Sequence, residues 1–364
     1  MSMHRAGAAP VPEETARVAH AAFPRGNARI ALRDTVGPVY DDACFAPLFA
    51  RRGRPAEAPW RLALVTVMQF AEGLSDRQAA EAVRARIDWK YALGLELTDP
   101  GFDFSVLSEF RARLIAGSAE HLLLERLLAV CREHGWLQAR GRQRTDSTHV
   151  LGALRVLNRQ ERVAETLRAA LNALAAEAPD WLRSIAPPEW HERYDRRIED
   201  YRLPRGREAR LAYAATVGAD GERLLEALTA PNAPEHLAQL PAVDLLRRVW
   251  RAEFTVVEGQ LQLGDPKALP AAADQIETPY EPDARYATKR ELHWVGYKVH
   301  VTETCDDDCP HLLTHVATTV APASDIHQLA AIHAGLAQGE LLPAQHLVAA
   351  AYVRAQNLVE AREY

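Results

Sequence analysis

The chain has 364 residues, 43 basic against 49 acidic for a formal net charge of −6, and 48% hydrophobic residues. That length suggests two or three domains at ~100–200 residues each, and the composition excludes disordered and collagen-like classes. A net negative charge rules out a uniformly basic nucleic-acid coat, while leaving room for a local basic patch.

Residues 1–40, with Pro10, Pro12, Pro24 and Pro38, read as a weakly patterned leader, loop plus one short helix. From Pro55 the pattern turns helical. Pro59 suits a first turn, Leu62, Val65, Gln69 and Phe70 follow at three-to-four spacing, and Gly73 closes the helix. Ser75 with Gln78 forms a capping box that opens the next helix through Ala79, Ala82 and Val83. Two helices joined by the short turn 72–75 resemble a helix-turn-helix, although an ordinary helical hairpin gives the same pattern. Two more helices follow, Ser105–Leu114 and Ala119–His134, the second ended by Gly135. Residues 41–138 are therefore expected to form an N-terminal all-α helical domain.

Gln143–Leu151 changes period to a strand alternation. Ala153–Ala178 is helical again, with the stripe Leu154, Leu157, Val163, Leu167, Leu171 and Leu174, and Pro179 is read as its stop. Residues 180–291 are less regular. A strand-rich unit begins near Leu292. Trp294–Val301 alternates, Asp306–Asp308 makes an acidic turn, and His311–Val320 is the return strand. Ser324 caps a helix through Leu329, Ile332 and Leu336, His346–Val353 is a last strand, and a helix starts over Ala355–Tyr364. The fold class is thus mixed α+β: the helical domain, a first strand within 139–152, a mostly helical insertion over 153–291, and the rest of an α/β sheet over 292–364.

No apolar run approaches the ~20 residues of a membrane span, Leu62–Ala71 being the best. The first residues carry no secretion-signal core, and four cysteines in so long a chain point to a reducing cytoplasm. Cys305, Cys309 and His311 have a poor spacing for structural zinc, and Cys44 and Cys131 fall in the helical part, so a hairpin turn with incidental cysteines is expected.

Asp146 sits mid-strand, where aspartate is disfavoured, and is either a metal ligand or base or an exposed-face residue. Two arginine clusters are candidates for DNA contact. Arg140, Arg142, Arg144, Arg155, Arg159 and Arg162 surround Asp146 in the chain. The second runs from Arg193 to Arg210 with interspersed acids that suggest a salt-bridged face.

The runs Arg144-Thr145-Asp146-Ser147-Thr148-His149-Val150, Trp294–His300, and His346-Leu347-Val348 with Tyr352-Val353 resemble the catalytic motifs of bacterial insertion-sequence transposases of the DDE type. Leu74–Ala79 and Phe110–Leu114 are similar to their helical DNA-binding part. The resemblance implies an RNase H-like domain interrupted by the helical insertion. It also implies DNA transposition through three carboxylates holding two Mg²⁺ ions, which stabilise both attacking and leaving oxygens.

Asp146 matches the first carboxylate and is the implied catalytic and metal residue. The second position is occupied by Ala349, and the third has no counterpart before Tyr364, as in a C-terminally truncated member. Mg²⁺ binding is therefore expected to be weak or lost, and the chain is expected neither to cut nor to join DNA. The alternative to an active transposase is a catalytically inactive DNA-binding remnant, or a competitor of the full-length enzyme. Implied DNA contacts are Arg77, Arg111, Arg113, Arg140, Arg142, Arg144 and Lys298. The implied partner is double-stranded DNA of insertion-sequence terminal repeats, in the cytoplasm and at the nucleoid, with self-association left open and an exposed apolar Leu347–Val353 segment favouring it.

Overall fold

The computed structural model describes residues 10–152 and 154–361. Two compact units are present. The first comprises the chain through Gln143 with 304–314 and 339–345; the second comprises 144–303, 315–338 and the chain from His346. The first unit carries α1 (Glu13–Ala22), α2 (Ala28–Val36), α3 (Pro59–Glu72), α4 (Asp76–Ala85), α5 (Ile87–Leu93), α6 (Ser105–Ala116) and α7 (Leu122–Glu133).

Residues 10–40 hold two helices where one was expected. The Asn27 side chain accepts from the Arg29 amide and caps α2, and the Thr15 hydroxyl donates to Leu95 O at 2.8 Å. Ala19, Ile30 and Tyr91 of α5 bury one another, so tertiary packing stabilises a stretch whose own pattern is weak. Pro59 opens α3, and Gly73, at φ 65, closes it. Both halves of the Ser75–Gln78 capping box form at the start of α4. Trp60, Trp89, Phe45, Leu107 and Phe110 fill the core. Phe70 departs from the expected stripe: it is 73% exposed, because Gln69 turns inward to meet Leu74 O and Asp76.

The chain continues through β1 (Arg142–Leu151), α8 (Arg159–Glu177), α9 (Pro179–Ile185), α10 (Pro188–Tyr194), α11 (Arg207–Ala227) and α12 (Pro241–Glu253). α8 starts later than the apolar stripe suggested, since Asn158 and Glu161 build a reciprocal cap there. The expected start at Ala153 lies outside the described residues. Pro179 does stop α8, but it also serves as the first residue of α9. Val163, Leu167, Leu224 and Leu246 form the helical core, and α11 approaches α12 so closely that any side chain at Gly221 would enter the Trp250 indole.

The strands β2 (Phe254–Val257) and β3 (Gln260–Leu263) make an antiparallel hairpin. β4 (Arg285–Lys289) pairs antiparallel with β5 (Leu292–Thr304), so the region read as a helical insertion itself supplies a strand to the sheet. β6 (Leu313–Val320), α13 (Leu329–Gln338), β7 (Gln345–Val348) and α14 (Ala355–Glu360) complete the chain. The strand order is β4-β5-β1-β7, with β6 also on β5. Arg142 O receives Cys305 N and Val295 O receives Gly152 N, which makes β1 and β5 antiparallel. Gly296 lies where they meet, at φ 155; a Cβ there would strike Val150 O and Gly152 N.

β7 is shorter than the alternation implied. It ends at Val348, and Ala350–Tyr352 curl into a 3₁₀ turn that buries Tyr352. The last helix is described to Glu360; its expected continuation to Tyr364 lies outside the described residues. Among the described residues no helix is long and apolar enough to cross a membrane.

Candidate functional site

The period of β1 divides its side chains. Gln143 and Thr145 are buried, while Arg144 and Asp146 are exposed. Asp146 accepts its one described hydrogen bond from the Ser147 amide at 2.7 Å. On the same face Arg144 Nε donates to Glu303 at 2.6 Å, which partly neutralises its guanidinium.

Ser147, one residue on, turns toward the opposite face. Its hydroxyl donates to Asp325 Oδ2 at 2.9 Å, and Lys298 Nζ reaches Asp325 Oδ1 at 2.9 Å and Ala323 O at 2.6 Å. Burial alone raises the Asp325 carboxyl, but Lys298 and Ser147 outweigh it and hold the group below the ordinary carboxylate range. Nearby, His300 Nδ1 and the Tyr352 hydroxyl share a 2.6 Å hydrogen bond in full burial. Burial pushes the Tyr352 phenol up to about 12 and lowers the His300 imidazole. Both stay neutral at ordinary pH and serve as hydrogen-bonding posts.

A second hydrogen-bonded chain, buried at Thr302, Thr145 and His333 and half-buried at His346, links β1 to α13. Thr302 and Thr145 share a hydrogen bond of 2.7 Å, Thr145 meets His346 Nε2 at 2.7 Å, and His346 Nδ1 meets His333 Nε2 at 2.9 Å. Burial first, then the neighbouring His333, pushes His346 down to about 4.

The donor set does not fit a two-metal centre. Asp325 is taken by a lysine and a serine. Ala349, which opens the turn after β7, offers only a methyl group. Among the described residues no group of three His, Cys, Asp or Glu side chains could hold a metal ion. The cysteines are all free.

The arginines divide sharply. Arg155, Arg159 and Arg162, close to Asp146 in sequence, are exposed, half-buried and buried in turn, and all three are ion-paired. Arg155 pairs with Glu161 at 2.9 Å, Arg162 with Glu253 and with Glu277 at 3.1 Å, and Arg159 with Glu253. These guanidinium groups are thus matched by carboxylates, Glu161 nearby in the chain and Glu253 and Glu277 distant in sequence, as the buried Arg162 requires. Arg111 forms a two-pronged pair with Asp76, at 3.0 and 2.7 Å, and Lys298 is held by Asp325.

Arg77 is exposed and lies over the Phe104 ring at 4.5 Å; Arg113 lies over Phe49 at 4.8 Å. Arg140 and Arg142 are exposed, Arg142 only 4.0 Å from the fully exposed Asp307. Sequence reasoning missed Arg51, Arg52 and Arg54, a basic run ahead of α3 that is exposed and has no ion pair among the described residues. Arg54 and Arg113 line a cleft of about 460 Å³ with Phe49, Phe102 and Phe110.

Residues 18–113 match the family model described as Transposase domain (DUF772), a match that runs from α1 into α6. No curated protein and no solved structure matches.

Proposed function

We propose that this chain is a transposase-family protein that binds duplex DNA through arginine–phosphate contacts and does not cut it. The observation that carries the reading is the transposase-domain match over 18–113. The free cations of that region, Arg51, Arg52, Arg54, Arg77 and Arg113, form the contact surface, and Arg140 and Arg142 follow in the same unit. Such contacts fix register on the backbone and carry little sequence information. The DNA class is the ends of an insertion sequence, met at the nucleoid.

The α+β unit takes an RNase H-like arrangement in this reading. Support comes from β6 and β1 both pairing with β5 and β7 lying on β1, with α13 between β6 and β7 in the chain, and from Asp146 on the interior strand β1. The non-cutting half of the reading is favoured by Ala349, beside β7 where the family resemblance puts a carboxylate. One exposed aspartate cannot order two ions that dehydrate reluctantly and demand near-octahedral oxygen ligands.

A labelled mixed-sequence duplex incubated with the protein and Mg²⁺ or Mn²⁺ tests both halves. The expected gel shows a shifted, uncut duplex. Metal-dependent cleavage abolished by Asp146→Ala refutes the inert half; absence of any shift at low salt refutes the binding half. Ala349→Asp is expected to bind Mn²⁺ more tightly than the parent and still leave the duplex whole.

A further inference from the structure

We infer that the segment Arg196–Arg207 of the second unit is a separate binding surface for single-stranded nucleic acid. Two buried side chains, Ile198 and Leu203, anchor this segment in the helical core. Its backbone is fixed as well: Arg155 donates to Ile198 O at 2.6 Å and Arg210 to Pro204 O at 3.1 Å. Between those anchors the chain displays Tyr201, 75% exposed, on the outside. Arg202 lies 5.4 Å from its ring centroid and donates to its hydroxyl at 3.0 Å. A large aromatic ring held this far into water on a braced loop, with a guanidinium beside it, is a stacking platform for an unpaired base.

The charge around it is unbalanced. Asp200 is already occupied by Arg210, at 2.9 Å, and by Asn158, at 2.8 Å. Arg196 and Arg202 make only loose pairs, at 3.5 Å with Asp195 and 3.7 Å with Glu199. Arg197, Arg205 and Arg207 are exposed and have no ion pair among the described residues. Four arginines, Arg193, Arg196, Arg197 and Arg202, outnumber two acids, Glu192 and Asp195, in the lining of a cleft of about 480 Å³ that also includes Ile198, Leu203 and Tyr213. Guanidinium groups spaced along an open cleft, with one aromatic ring standing beside them, match a strand whose phosphates and bases are both accessible. A duplex hides its base faces and gives Tyr201 nothing to stack on.

The inference goes beyond the duplex reading of residues 18–113 and stands on its own surface. Fluorescence anisotropy with a labelled oligothymidylate and, in parallel, a mixed-sequence duplex tests it on the full chain. Oligothymidylate is expected to bind. Tyr201→Ala is expected to weaken that binding about tenfold, within the range that base–aromatic stacking covers, while Tyr201→Phe keeps it. Arg197→Ala with Arg205→Ala is expected to flatten the salt slope by ~1.4, at ~0.7 per phosphate on a single strand. Duplex binding is expected to be indifferent to Tyr201→Ala.

No oligothymidylate binding at low salt, with the duplex still bound, overturns this inference alone. Loss of duplex binding with oligothymidylate retained overturns the proposed function alone. If the arginine variant weakens binding and Tyr201→Ala does not, the segment holds phosphate only, and the single-strand assignment is overturned.

Discussion

Acidification should destabilise the second unit through His346 in a way that one substitution removes. His346 sits between Thr145 and His333, and burial with that neighbouring imidazole pushes it down to about 4. In the unfolded chain a histidine titrates near ~6.5. Between those two values the unfolded state holds the proton and the folded state does not, so unfolding is favoured as pH falls. The penalty is absent above pH ~6.5, grows through the interval, and levels off below ~4.

At ~1.4 kcal/mol per pH unit, going from pH 7 to pH 5 costs about 2 kcal/mol at this one site. For a unit of this size that is a fall in Tm of roughly 4–8 °C. Burial also lowers His300, His315 and His333, so the wild type alone shows a larger, composite effect. The assay is therefore a difference: thermal melts by circular dichroism of wild type and His346→Gln at pH 7 and pH 5. The variant starts less stable and is expected to lose clearly less on acidification. Parallel pH curves for the two proteins would refute the assignment of a neutral, proton-excluding His346.

Two packing predictions follow from other parts of the fold. Glu253→Gln is expected to cost about 3–5 kcal/mol in urea denaturation, because it leaves Arg162, itself buried, with only Glu277; a loss under ~1 kcal/mol would show that water reaches the pair. Gly296→Ala is expected to destabilise the sheet by roughly 1–3 kcal/mol, the usual size of an overpacking strain, through its clash with Val150 O; an unchanged midpoint would contradict the tight approach of β1 to β5.

What was readable in the sequence were features decided locally. The Ser75–Gln78 box, Gly73, the alternation of β1 and the acidic turn at Asp306–Asp308 each carry their own instruction. What was not readable depended on partners far along the chain. α1 and α2 form against Tyr91, β4 is a strand because β5 offers it a ladder, and Val348 ends β7 because Tyr352 turns in to reach His300.

The candidate site divides the same way. Asp146 stands out by type and position, and the exposed face it occupies follows from the strand period. The fate of Arg155, Arg159 and Arg162 could not be read from their neighbours in sequence. Their acids, Glu253 and Glu277, lie about a hundred residues on, and Glu161, though adjacent, is buried only through the fold. Arg111 and Lys298 are similar: the acids they pair with, Asp76 and Asp325, lie 35 and 27 residues away in the chain.

The central claim, a DNA-binding protein acting through unpaired arginines of residues 18–113, is tested most directly by the salt dependence of duplex affinity. Fluorescence anisotropy with a mixed-sequence duplex, across a salt series, is read for wild type and for Arg77→Ala with Arg113→Ala. The wild-type affinity is predicted to fall linearly on a log–log plot, and the double variant to lose ~1.8 from the slope, at ~0.9 per phosphate neutralised. A salt-independent affinity, or a double variant with the wild-type slope, would contradict the account.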